Sequence, residues 1–314
     1  MTERLTRRFM LTSAVALAAC APLQVADNDR SDDDPRGGIG GTGIVGTLTD
    51  FGSLMVNGER IVLTEATSIT GPFGALTEGD LAIGQALTIE ASPVNGVMTA
   101  ARVVVSDPLT GLVQRVDRGA GVIEVLGVEV RLDPSIAPPP EGARVAVSGL
   151  WRGDAVEASR IALTSGSTLS AIMGVARSGE QFTIGGVPIR FAAGVTPPPS
   201  GAFVTASGLF DGVNLIVTDL AIGRFTGAAG PIEGLSIEGY LDPIASAPFF
   251  EVSGLGHSFD AAAQLGALKD ERSVMTGPYT GAFEVAEGLT LRGDFEDRRA
   301  LLRRPEGAER TPTR

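Results

Sequence analysis

Four glycines, Gly58, Gly127, Gly186 and Gly254, sit between short runs in which apolar and polar positions alternate. Two and four residues before them stand Val56 and Leu54, Val125 and Ile123, Ile184 and Phe182, and Val252 and Phe250. Three and five residues after them stand Ile61 and Leu63, Val130 and Leu132, Ile189 and Phe191, and His257 and Phe259. A period of two marks a half-buried strand, and two such runs joined by Asn-Gly, Leu-Gly, Gly-Gly or Ser-Gly form a β-hairpin. A two-residue loop fixes the register. Val56 should face Glu59, Leu54 should face Ile61, and Phe250 should face His257.

A second hairpin follows each of these, turning near Gly96, Gly153, Gly212 and Gly281, and each repeat opens with a further strand such as Gly43 to Leu48 or Ser236 to Leu241. Five short strands in roughly sixty residues, with a longer connection between the third and fourth, suit a small OB-like Greek-key barrel. The chain therefore reads as all-β, with β repeats over 43–107, 111–165, 170–224 and 233–295. One or two larger β-sandwiches would satisfy the same alternation. The connections differ in kind: proline triplets at Pro138 to Pro140 and Pro197 to Pro199, longer segments at 71–85 and 261–270. A proline triplet excludes helix and favours an extended chain, which leaves only the fourth connection as a short-helix candidate.

The Gly-centred hairpins, together with the closing strands Ala100-Ala101-Arg102-Val103 and Ala158-Ser159-Arg160-Ile161, resemble the bacterial domain-of-unknown-function 5666 family of tandem β-rich repeats in exported and lipidated proteins. The resemblance runs from about Gly43 to Phe295, although repeats three and four carry Asp219 and Gly288 where the arginine would stand. It implies a fold and a compartment. It brings no activity, cofactor or catalytic residue with it.

Ahead of the repeats, Arg4, Arg7 and Arg8 precede a short apolar run from Phe9 to Ala19, and Leu17-Ala18-Ala19-Cys20 closes it. This order of charge, apolar core and small residues is that of a cleaved export signal, and the run is too short to span a bilayer. The last four residues resemble the lipobox of bacterial lipoproteins, so residues 1–20 read as a signal peptide and Cys20 as the acylated N-terminus. Ala21 in place of Asp after that cysteine favours, by the same resemblance, the outer membrane. Thr6-Arg7-Arg8-Phe9-Met10-Leu11 fits a twin-arginine signal as well as the basic head of the general export route. Residues 21–42, acidic and then glycine-rich, read as a disordered tether, and 296–314 as a charged disordered tail. Asp27 and Asp29 have calcium-loop spacing, but Asp32 and Gly38 occupy the places that need Gly and Glu.

Net charge is −12 and Lys269 is the only lysine, so the cationic footprint of a nucleic-acid binder is missing. One histidine and one cysteine, the latter committed to lipid, supply neither a catalytic triad nor an ordinary zinc site, and no cofactor is implied. Arg-Gly-Asp occurs at 152–154 and 292–294, where Gly-Asp reads more simply as turn chemistry. Trp151, Phe210 and Tyr279, with Val94 in the first repeat, stand two residues before the second-hairpin glycine. They suit either packing between repeats or stacking of a ligand at the hairpin tips. His257, with Phe250 across from it, reads as a neutral core position or as part of a pocket peculiar to repeat four. The leading functional reading is a lipid-anchored, non-enzymatic envelope scaffold or binding protein, with the membrane, envelope proteins or cell-wall polysaccharide as partners. A carbohydrate or small-ligand module using the tip aromatics, and a carboxylate-dependent hydrolase, are the alternatives.

Overall fold

The computed structural model describes residues 40–243, 250–256, 258–259, 268, 270–281, 283–285 and 287–302. The export segment with Cys20, most of the connection 261–270, His257 and residues 303–314 lie outside the described residues. Repeat one supplies β1 (Gly41–Asp50), β2 (Leu54–Val56), β3 (Glu59–Ile61), β4 (Ser68–Gly71), β5 (Gly74–Ala75), β6 (Ala86–Val94) and β7 (Val97–Val105). Repeat two supplies β8 (Leu109–Asp117), β9 (Val122–Val125), β10 (Val128–Leu132), β11 (Arg144–Arg152) and β12 (Ala155–Leu163). Repeat three supplies β13 (Ser170–Arg177), β14 (Thr183–Ile184), β15 (Val187–Phe191), β16 (Phe203–Phe210) and β17 (Leu215–Ile222). Repeat four supplies β18 (Ile232–Gly239), β19 (Leu241–Pro243), β20 (Phe250–Val252), β21 (Ser258–Phe259), β22 (Ser273–Pro278) and β23 (Glu287–Thr290), followed by helix α1 (Phe295–Leu302).

Repeat two shows the logic most plainly. The alternation in β9 and β10 buries Ile123, Val125, Val128 and Val130 and leaves Glu129 and Arg131 exposed. Leu126 and Gly127, both at positive φ, turn the chain and set Val125 opposite Val128. The strands then close in the order β8-β9-β10-β12-β11-β8, with the β10–β12 contact parallel and the rest antiparallel. Repeat three closes identically through its parallel β15–β17 contact. These are five-stranded OB-like barrels, not sandwiches. In repeat one Val62, just after β3, reaches β7 through a parallel bridge to Thr99, β4 extends that parallel contact with β7, and the connection at 71–85 contributes β5, which pairs back on β4, and a 3-10 turn at Glu78–Asp80.

A shared irregularity shapes the barrels. Strand four of repeats one to three slips register against strand five, at Glu90/Ala91, Ser148/Gly149 and Ser207/Gly208. The extra residue on strand five is Ala101, Ser159 or Thr218, the second position of the closing motif. A bulge of this kind bends and twists a strand, as a small closed barrel requires. It brings backbones close: a Cβ on Gly149 would lie 2.3 Å from the Glu157 carbonyl oxygen.

The repeats do not hang as separate beads. Repeats two and three share one apolar core that runs from Leu109 to Val217, and β8 pairs with β13 through Ala171 opposite Thr110. Repeats one and four are joined by a parallel β1–β18 ladder, with Ile44 opposite Ser236.

Three expectations need correction. Phe250 faces Phe259 rather than His257, because the loop after β20 is not a two-residue turn: Gly254 and Gly256 both adopt positive φ and Leu255 bonds back to Val252. Residues 296–302 of the stretch assigned to the tail belong to helix α1, whose Leu302 is buried and whose Arg299 Nε donates to the Thr49 carbonyl at 2.6 Å. Gly41 and Thr42, inside the stretch assigned to the tether, belong to β1, and the Gly41 N–H donates to the Pro231 carbonyl.

Replacing Gly149 by Ala should destabilise the chain by about 1–3 kcal/mol or more, since backbone must move to admit the methyl group. Gly79→Ala, whose added Cβ would lie 3.7 Å from its nearest neighbour, should be near neutral. Urea unfolding of the two variants side by side checks the difference.

Candidate functional site

The four repeats converge where the β11–β12 hairpin of repeat two leans toward repeats three and four. Trp151, at its tip, is 3% exposed, and its indole Nε1 donates to the Met173 carbonyl at 2.9 Å. Its ring lies against two hairpin glycines. An added Cβ would come within 2.5 Å of the indole at Gly185 of repeat three and within 2.2 Å at Gly254 of repeat four. Glycine is needed at both turns for close approach as well as for positive φ.

The remaining tip residues meet other surroundings. Phe210 is half-buried against the core shared by repeats two and three, and Tyr279 is half-buried against that of repeat four, where its N–H donates to the Glu233 carbonyl at 2.7 Å. Val94 is half-exposed. The equivalent positions therefore do not form one aromatic stripe.

The Arg-Gly-Asp sequences are absorbed into the fold. Arg152 lies over the Tyr240 ring at 5.0 Å and donates to the Asp270 carbonyl, while the Gly153 N–H donates to Ser253 Oγ at 2.9 Å. Burial raises the neighbouring Asp242 carboxyl, against hydrogen bonds from Ser253 and Gly153. In the second copy Asp294 caps α1: its carboxylate accepts from the Asp297 N–H at 3.0 Å, and the Asp297 carboxylate accepts in return from the Asp294 N–H.

The buried carboxyls are the groups that sequence reasoning missed. Asp107, on the link between repeats one and two, accepts a short hydrogen bond from Ser148 Oγ; burial pushes it up to about 6, against the opposing pull of Ser148 and of Arg160. Glu90 would also rise on burial, but hydrogen bonds from Thr226, Ala228 and Arg102 outweigh that and hold it low. Glu238 behaves alike: burial works against it, and Arg272 at 2.7 Å, with Thr47, keeps it ionised. The available signal was the residue preceding each strand-four bulge, Glu90, Ser148 or Ser207, which faces Arg102, Arg160 or Asp219 of the closing motif. Among the described residues no group of three or more His, Cys, Asp or Glu side chains could hold a metal ion.

Residues 42–104, nearly all of the first repeat, match the family model described as domain of unknown function (DUF5666). No curated protein and no solved structure matches the chain.

Two outcomes test the site. Trp151→Ala should cost about 3–5 kcal/mol, and the emission of this sole tryptophan should be blue-shifted and resist quenching by acrylamide; red-shifted, readily quenched emission would contradict its burial. Asp107 holds its proton more tightly when folded, so stability declines as pH rises from about 4 to about 6 and the penalty persists above that. Asp107→Asn should therefore stabilise by about 1–3 kcal/mol more at pH 8 than at pH 4. Paired urea titrations at the two pH values measure it.

Proposed function

We propose that this chain is an exported, lipid-anchored protein of the cell envelope, held through Cys20, whose repeat body is a non-enzymatic scaffold or binding component. The observation that carries the scaffold reading is the position of Trp151. The aromatic best suited to stacking a ligand is taken up between three repeats, and the Arg152-Gly153-Asp154 turn beside it is committed to repeat four. The buried carboxyls likewise serve contacts between strands and repeats: Glu238 holds Arg272 and Thr47, and Glu90 holds the segment around Thr226. A body fastened in this way suits the presentation of fixed surfaces to envelope proteins or cell-wall polysaccharide. Anchorage rests on Leu17-Ala18-Ala19-Cys20 after a short apolar run, and outer-membrane sorting on Ala21. More than one acyl chain is needed for stable retention, each buried methylene contributing about 0.8 kcal/mol.

Cys20→Ser should abolish incorporation of radiolabelled palmitate and move the protein from the membrane to the soluble fraction. An unlabelled wild-type protein, or a variant that stays membrane-bound with unchanged mass, would overturn the anchor.

A further inference from the structure

The β1–β18 ladder is parallel, so the first strands of repeats one and four start at the same end of the body, and β6 and β22, which pair antiparallel with them, run out past that end. One row of partners crosses the sheet there as Pro278, Gly234, Thr42 and Ala91. Two hairpin tips project beyond the row. The β6–β7 tip turns at Asn95-Gly96 and carries Val94 about 10 Å past Ala91, while the chain after β22 turns around Gly281, with Tyr279 bridged to Phe283. Strand β1 begins at Gly41 between β18 and β6, and residues 21–39 join Gly40 to Cys20. The chain that leads to the lipidation site thus leaves the body between these two tips.

Both tips lack charge in a chain of net charge −12: no Asp, Glu, Lys, Arg or His occurs over 91–101 or over 273–283. The tips of repeats two and three, by contrast, carry Arg152 and Asp154, and Asp211. Pro93, Val94, Val97 and Pro278 are exposed, with Met98 and Tyr279 half-buried beside them. These tips offer no cation to anionic headgroups, so the contact they can make is apolar. A tethered bilayer has its highest effective concentration where the tether enters the body. We propose that the tips of repeats one and four form a lipid-contact face, resting in the headgroup region of the bilayer that holds the acyl chains of Cys20. The inference builds on the lipid-anchor reading. Glu233 and Glu284, exposed near the row of partners, keep their charges in water and so limit the contact to headgroup depth. Two such tips bury too little to retain the protein unaided, and their effect is to fix its orientation on the anchor.

The mature chain, coupled through Cys20, its only cysteine, to a maleimide lipid in phosphatidylcholine vesicles, tests the face independently of acylation in the cell. Val94→Trp and Thr280→Trp should lose most of their added emission when brominated phosphatidylcholine is included. Leu163→Trp, at a position of repeat two that is 73% exposed, should keep its emission, and the buried Trp151 is a background common to all three. Because an indole itself favours the interface, hydrogen exchange of the unaltered chain is the second measurement. Amides over 94–99 and 279–281 should exchange several-fold more slowly on vesicles than when Cys20 is coupled to a water-soluble polymer. Unquenched tips, equal quenching of Leu163→Trp, or tip exchange that is the same on vesicle and polymer would each overturn the proposal. Tip protection already complete on the polymer would do so by assigning the tips to contacts between copies. Failure of palmitate incorporation strikes the anchor, whereas failure of these measurements for a chain that does incorporate palmitate strikes the lipid-contact face alone.

Discussion

The structure depends on the parallel ladder between β1 and β18, the first strands of repeats one and four. A barrel of about sixty residues encloses little apolar volume and is marginal alone. Repeats two and three solve this by sharing one core, from Leu109 to Val217. Repeats one and four, separated by more than a hundred residues, have no such continuity and meet through backbone hydrogen bonds, with Val45 of β1 entering the core of repeat four. The ladder thus turns a row of repeats back on itself, and it is what allows the β11–β12 hairpin of repeat two to reach repeats three and four together.

A ladder can slip, and the polar groups around it oppose slippage. Asn57, held at φ 56 in the first hairpin turn, donates its amide to the Val45 carbonyl and to Ser236 across the interface. Glu238 of β18 accepts from the Thr47 N–H of β1 at 2.7 Å and from Arg272, whose Nη2 reaches Thr47 Oγ1 at 2.9 Å. Buried ion pairs add little net stability compared with apolar packing, yet breaking one leaves a stranded charge at a cost of about 3–5 kcal/mol. A shift of one residue would separate Asn57 from Ser236, and Thr47 from Glu238 and Arg272. The interface is therefore selective for its register even where its net energy is modest.

The barrels were legible because their signals are local. Alternation and two-residue glycine turns determine β2–β3, β9–β10 and β14–β15, and Val56 does face Glu59, as Ile61 faces Leu54. The fourth hairpin misled because Ser253-Gly254 resembles the other turns while Gly256, also at positive φ, lengthens the loop. Leu126 shows another limit: an apolar residue at φ 54 is unusual, and only the packing of its side chain, 1% exposed, accounts for it. The helix at 295–302 was hidden because its anchors, Asp133 and the Thr49 carbonyl, lie in distant repeats. No local pattern encodes Arg224 against Phe203 and Thr88, for the same reason.

Equivalent positions in a repeat are not equivalent places in a closed body. Two residues before the second-hairpin glycine, Trp151 is enclosed by two neighbours, Phe210 and Tyr279 are half-covered by cores, and Val94 is 50% exposed. An argument from sequence position treats these four as one class, whereas the contacts separate them by how many repeats each tip can reach. Exposed apolar side chains stand at the tips of repeats one and three, where Val94, Val97 and Val213 reach 50%, 46% and 65% exposure, and Pro278 and Thr280 are exposed at the tip of repeat four. Single exposed valines are ordinary at a protein surface. Their relevance is positional: the tip of repeat two is consumed in holding the body together, so contacts made by a tip hairpin with another molecule must come from the tips that the closure leaves free.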